Sequence, residues 1–272
     1  MGISDLIPGV SGGTIALLVG VYYRLIAAID GIFSREWKKH LMFLIPLGTG
    51  VVLALLSMSR LIEWLLADYP QPTFFFFLGL IIGIIPFLLK EVDYKKTFKG
   101  KHIALLLAAA AIVASTAFIR DEEMSAVMSN LTAMDYLLLF FGGWAASSAM
   151  ILPGVSGSFV FLLIGIYPTV LNAISTINIP VIIVVGAGIA LGLIITSKII
   201  KKLIRNYKIG TYAVMTGLVT GSIFVVFPGI EGSMFLFLIS LVTFFAGLFC
   251  SLKLSSLGEK AKASQLKVTR AS

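Results

Sequence analysis

Charge is scarce in this chain. Only 12 % of its 272 residues are Asp, Glu, Lys or Arg, about half the share of an ordinary globular domain. Hydrophobic residues make up 58 %, and mean hydropathy is +1.03. A water-soluble fold needs polar side chains to cover its surface, so a soluble enzyme and a disordered chain are both excluded. Cysteine is nearly absent: Cys250 stands alone and forms no internal disulfide. The only histidines, His40 and His102, sit in lysine-rich loops, and no H-E-x-x-H is present. Metal chemistry and serine–histidine hydrolysis therefore have little to build on, and no metal or other cofactor is expected. The net charge of +8 is not gathered into a basic surface domain, which argues against a nucleic-acid partner.

What the chain has is long apolar runs interrupted by Gly and Pro, which suit membrane helices rather than barrel strands. Windows meeting the length of about 20 residues needed to cross a bilayer fall at 13–32, 41–66, 73–89, 103–119, 134–152, 155–174, 181–197, 211–227 and 233–251. Basic residues crowd the loops at 35–39, 90–101 and 198–208 and the segment from Leu252, whereas the loops between them are acidic. That alternation places the basic loops and the C-terminus in the cytoplasm. A single multi-pass domain in the cell membrane is expected over 1–251, with residues 252–272 as a loose basic cytoplasmic tail. The sequence leaves the oligomeric state open.

The chain also repeats itself. Residues 8–29, PGVSGGTIALLVGVYYRLIAAI, and 153–174, PGVSGSFVFLLIGIYPTVLNAI, are identical at 11 of 22 positions with an offset of 145. Similarity resumes at an offset of 138, where Gly48, Gly50, Tyr69, Thr73, Gly79 and Gly83 meet Gly186, Gly188, Tyr207, Thr211, Gly217 and Gly221. Repeat 1 spans about 1–120 and repeat 2 about 134–251. The 41–66 helix leaves a basic loop while its partner 181–197 enters one, so the copies are expected to be inverted. The fold class is an all-α integral membrane protein, an inverted-topology repeat with two re-entrant or broken helices meeting near the midplane, a pattern of alternating-access transporters.

Each motif places Pro and a Gly-x-Ser-Gly stretch ahead of an apolar helix. Pro suits a first helical turn, Gly permits close approach, and Ser or Thr can cap or bond a ligand. A helix starting inside the membrane presents free N–H groups to an anion without any basic side chain. Candidate headgroup contacts are Pro8, Gly9, Ser11, Gly12, Gly13 and Thr14, and Pro153, Gly154, Ser156, Gly157 and Ser158. Arg24 is a candidate supporting charge or a membrane anchor, about 18 Å beyond Gly12 along a continuous helix. Asp5 and Glu231 are candidates for proton coupling or capping. The competing reading makes PGVSG a kinked, close-packed loop. The segment 134–152 precedes the second motif, whereas the first has only residues 1–7 before it, so an upstream arm of about fifteen residues is expected. Gly9–Gly13 fits G-x-S-x-G, but the second copy breaks that pattern and a nucleophile elbow needs a preceding strand. The Gly79/Gly83 and Gly217/Gly221 pairs are expected to permit close helix packing.

Gly2–Thr14, with G-x-S-D-x-x-P-G-V-S-G-G-T, and Gly20–Ile26, with G-x-Y-x-R-L-I, resemble the signature of a bacterial and archaeal membrane family catalogued as a domain of unknown function (number 368). Ile151–Ser158 looks like its second signature. The resemblance covers the chain except the basic tail, and it departs in lacking the apolar segment that family members carry before the first motif. It implies a transporter of polyprenyl phosphate, the undecaprenyl phosphate carrier lipid, returning it across the membrane for envelope synthesis. The partners implied are an anionic isoprenoid lipid and the bilayer. The residues alone support an anion-handling transporter. A channel or transporter for another anionic solute, and a lipid-phosphate phosphatase, are the alternatives.

Overall fold

The computed structural model describes residues 1–5, 11–119, 127–128, 131–230 and 233–271. Pro8, Gly9 and Glu231, and the side chain of Asp5, lie outside what is described. The described regular structure is helical throughout: α1 Gly2–Asp5, α2 Gly12–Leu18, α3 Tyr22–Asp30, α4 Trp37–Asp68, α5 Pro70–Glu91, α6 Tyr94–Thr97, α7 Gly100–Ser115, α8 Ala133–Ile151, α9 Gly157–Ile164, α10 Tyr167–Ser175, α11 Ile179–Asn206, α12 Lys208–Val226 and α13 Met234–Ala271. Seven of these, α4, α5, α7, α8, α11, α12 and the first part of α13, are long and apolar enough to cross a membrane. The chain is an all-α membrane protein.

These seven helices match seven of the nine windows read from the sequence. The other two windows are each broken. Residues 13–32 form α2 and α3, bent by 118°, and residues 155–174 form α9 and α10, bent by 116°. Both breaks use the same cap. Gly20 and Gly165 adopt φ of 78° and 79°. The Val21 N–H donates to Ala16 O and the Gly20 N–H to Leu17 O, while Ile166 and Gly165 repeat this with Phe161 and Leu162. This is the Schellman arrangement, with a left-handed Gly ending the helix. At seven and eight residues, α2 and α9 are too short to cross a hydrocarbon core alone.

The repeats interlock. Helices α5 and α12 are central, with 61 % and 67 % of their apolar windows buried, against 0 % for α4 and 17 % for α7 and α13. Helix α13 of the second repeat packs on α5 of the first, and α7 of the first packs on α12 of the second. Small residues set both seams. A Cβ at Gly79 would run into Phe244 O and one at Gly83 into Ser251, while Gly217 and Gly221 stand equally close to Leu106 O and Ala110 O. Polar ties join neighbouring helices as well: Thr243 of α13 donates to Pro72 O of α5 at 2.7 Å, and Thr196 of α11 to Ser148 Oγ of α8 at 2.8 Å.

A second correspondence joins α1 with α4 and α8 with α11. Gly2 lies against Ala54, and its counterpart Ser147 lies against Gly192, the counterpart of Ala54. Helix α13 continues past the membrane segment to Ala271, where the sequence suggests a loose tail. Its Leu, Lys, Ala and Gln residues are good helix formers and no proline interrupts them. His102 is a capping residue, its Nδ1 accepting the Lys99 N–H at 3.1 Å at the start of α7.

Candidate functional site

The two motifs, 145 residues apart in sequence, touch. Ser11 is the N-cap of α2, where its Oγ accepts the Gly13 N–H at 3.2 Å and donates to Leu152 O at 3.4 Å. One helical turn on, Thr14 Oγ1 accepts the Gly154 N–H at 2.9 Å. Tyr22, the first residue after the break, donates its hydroxyl to Ile151 O at 3.1 Å. The first motif thus grips the backbone by which α8 passes into α9. Ser11, Thr14 and Tyr22 are all buried, at 1–2 % exposure, so these bonds are shielded from competing water or lipid headgroups.

Glycine makes the crossing narrow enough. Gly13 lies so close that a Cβ would sit 3.0 Å from Met150 O and 3.1 Å from Ile151 O. Gly154 has φ +90°, and a Cβ there would fall 2.6 Å from the Leu218 carbonyl of α12. Both a left-handed backbone and a lack of space reserve that position for glycine. Gly157 packs α9 back on α8, its would-be Cβ 2.9 Å from Ala146 O.

The two helix starts differ in what holds them. Ser11 caps α2, but Ser156, its counterpart at the start of α9, makes no cap bond. Its Oγ instead pairs with Ser158 Oγ at 2.8 Å. The first-turn N–H groups of α9 have no intrahelical acceptor by geometry. This start borders a cavity of about 280 Å³ lined in part by Ser147, Ser156, Gly157, Ser158 and Tyr167. The cavity offers hydroxyls and a helix N-terminus, and none of the described residues in its wall is charged.

Two further cavities reach the crossing. One, of about 500 Å³ and almost wholly apolar, lies between α3, α4 and α11 and includes Gly13, Tyr22, Gly48 and Ile151. The other, of about 610 Å³, extends from Leu152 to the ends of α7, α11 and α12, where Lys101, His102, Arg205 and Lys208 rim it. In the sequence these basic residues serve only to orient the chain. Their convergence on one cavity has no local signal, because they come from segments about a hundred residues apart. Lys208 also reaches Glu91 at 3.6 Å, tying the facing ends of α12 and α5.

Arg24 is placed differently from the straight-helix expectation. The break at Gly20 turns α3 away, and the guanidinium lies 4.4 Å from the centroid of the Phe43 ring on α4, a cation–π contact. Its counterpart Thr169 is buried and accepts the Met128 N–H at 3.0 Å. Arg24 thus stands outside the motif crossing, whereas Ser11, Gly13 and Thr14 are brought directly onto Met150–Gly154.

Duplicated bent helices and repeats whose motif segments meet among cavities are features found in membrane transporters. The chain matches, over residues 1–237, the family described as undecaprenyl phosphate translocase-like. It belongs to that family, and it is a transporter rather than an enzyme. A protein of Staphylococcus aureus (strain NCTC 8325 / PS 47) named polyprenyl-phosphate transporter is 44 % identical over 262 residues, 93 % of this chain and 92 % of the relative. One of Vibrio cholerae serotype O1 (strain ATCC 39315 / El Tor Inaba N16961) with the same name is 33 % identical over 241 residues, 84 % and 75 % of the two chains. No solved structure matches.

Proposed function

We propose that this protein moves polyprenyl phosphate between the leaflets of the cell membrane, returning the carrier lipid to the cytoplasmic side for reuse in envelope synthesis. The observation that carries this reading is the uncapped start of α9. Ser156 and Ser158 pair with each other rather than with the helix, and with Gly157 they line a cavity beside the motif crossing. A phosphate monoester supplies the acceptor oxygens such a group needs. Its isoprenoid chain stays in apolar surroundings, so the protein has only the headgroup to shield from the bilayer core.

The first motif plays a different part in this scheme. Its Ser11, Gly13 and Thr14 fix the Leu152–Gly154 backbone that aims α9. The charge map inverts the repeats, since α4 leaves a basic loop and α11 ends in one. Inverted repeats are the usual basis for opening one site alternately to each side. The cavity rimmed by Lys101, Arg205 and Lys208 then forms the cytoplasmic vestibule, where positive charge attracts and releases a phosphate.

The test is leaflet exchange of a short-chain polyprenyl phosphate by purified protein in liposomes. Ser156→Ala and Ser158→Ala are expected to weaken lipid binding by about 0.5–3 kcal/mol each and to slow exchange, with membrane insertion unchanged. Exchange at the wild-type rate in both variants would refute the headgroup site. Released inorganic phosphate would identify a phosphatase, and ion flux without lipid movement would identify a channel.

A further inference from the structure

Two of the cavities beside the motif crossing are related by the internal repeat. Gly13, Tyr22, Leu25, Ile26, Ile29 and Val51 line the larger, of about 500 Å³. Their repeat counterparts Ser158, Tyr167, Val170, Leu171, Ile174 and Ile189 line the smaller, of about 280 Å³. The first five pairs share the offset of 145, and Val51 meets Ile189 at 138. Met150 lines both cavities, and its carbonyl stands against Gly13 at the crossing. Cavities on matching residues of both copies are part of the duplicated design.

Their walls say what they can take. Apart from Tyr22, the described residues lining the larger are Leu, Ile, Val, Met, Phe, Ala and Gly, and the Tyr22 hydroxyl is engaged with Ile151 O. A phosphate entering it would lose its solvation without gaining partners. A flexible branched hydrocarbon would bury apolar surface at no such cost. The smaller cavity has the same aliphatic wall from α10 and adds Ser147, Ser156 and Ser158 at its inner end.

We propose that each repeat carries its own isoprenoid-chain site, built from these equivalent residues, with the phosphate held between them. The chain lodges in the larger cavity on one side of the transport cycle and in the smaller on the other. The unequal volumes record one half of that cycle, and exchange of conformation between the repeats enlarges one as it closes the other. The proposal rests on the lipid-phosphate reading above and adds where the hydrocarbon goes.

The test uses the full chain in liposomes and a short-chain polyprenyl phosphate carrying a diazirine on its terminal isoprene, with crosslinks mapped by mass spectrometry. Label is expected on α3–α4 peptides and on α9–α10 peptides. A Cβ at Gly48 has no atom within 4 Å, so Gly48→Phe projects into the larger cavity without a backbone clash. It is expected to cut the α3–α4 label about tenfold and to slow exchange, leaving the α9–α10 label. Ile174→Trp, at the exposed rim of the smaller cavity, should do the converse. Gly48→Leu, with an unfolding temperature matched to wild type, separates cavity filling from misfolding by giving an intermediate loss. Label confined to one cavity, label indifferent to these substitutions, or equal labelling by a diazirine phosphatidylglycerol would overturn the proposal. Failure of the headgroup site would look different: Ser156→Ala and Ser158→Ala would transport normally while both labels persisted.

Discussion

Of the three buried hydroxyls that bond the Ile151–Gly154 backbone, Thr14 makes the shortest contact. Thr14 Oγ1 takes the Gly154 N–H at a point where neither group meets solvent. Thr14→Val keeps the shape and removes the acceptor, leaving a buried donor unpaired at a cost of about 1–3 kcal/mol. Thermal unfolding in detergent should show that loss, and Thr14→Ser should recover most of it. Gly154→Ala is expected to be at least as damaging, because φ +90° and the Leu218 carbonyl both oppose a Cβ. A left-handed non-glycine residue costs about 1–2 kcal/mol before any clash. An unfolding temperature equal to wild type would show that α12 yields easily at Leu218. That Ser11, Gly13, Thr14 and Gly154 are candidates was legible in the sequence, Ser11 and Gly154 from the PGVSG stretch that occurs twice and Gly13 and Thr14 from its continuation, where the second copy has Ser158 and Phe159. Their contact with one another was not, since nothing local announces a partner 140 residues away.

At the scale of elements, hydropathy alone gives the helix spans, and the repeated motif leads to the expectation of two broken helices, but not to bends at Gly20 and Gly165. A window average passes over Gly20 and Gly165, because the residues on either side are apolar whether the helix continues or turns. Twenty-six glycines in the chain dilute the signal of the two that end a helix. In retrospect the shared G-x-Y after each motif was the clue, a C′ glycine at matching positions in both copies. Since the caps are the same in hydrogen bonding and in φ, Gly20→Ala and Gly165→Ala should each destabilise by about 1–2 kcal/mol. Equal shifts in unfolding temperature would check this. A large inequality would mean that one bend is held by tertiary contacts instead. In the tail polarity argues for loss of structure, whereas helix propensity carries α13 on to Ala271.

At the scale of the whole molecule, orientation and cross-repeat ties decide how the halves move. Asp30 at the end of α3 pairs with Lys201 on α11 at 2.6 Å, with the lysine more than half exposed. A double-mutant cycle on Asp30→Asn and Lys201→Met should return a coupling of about 0.2–1 kcal/mol, weakened by salt. A coupling of zero at low ionic strength would remove this pair from the forces joining α3 to α11. Cysteine labelling after replacement of Cys250 gives the topology: Ser34→Cys is expected to react from the cytoplasm and Ser175→Cys from outside. Reaction of both from one side would reject inverted hairpins.

Because α7 of the first repeat seats on α12 and α13 of the second seats on α5, neither half of the chain owns a complete set of neighbours. Cutting the protein between Ile119 and Ala133 would therefore yield two fragments, each with a bare glycine seam and a helix lacking its groove. Expressed singly, each fragment should be degraded; expressed together, they should reassemble like clasped hands. Duplication of this kind ties the fate of the halves together: a change that loosens one seam removes support from both.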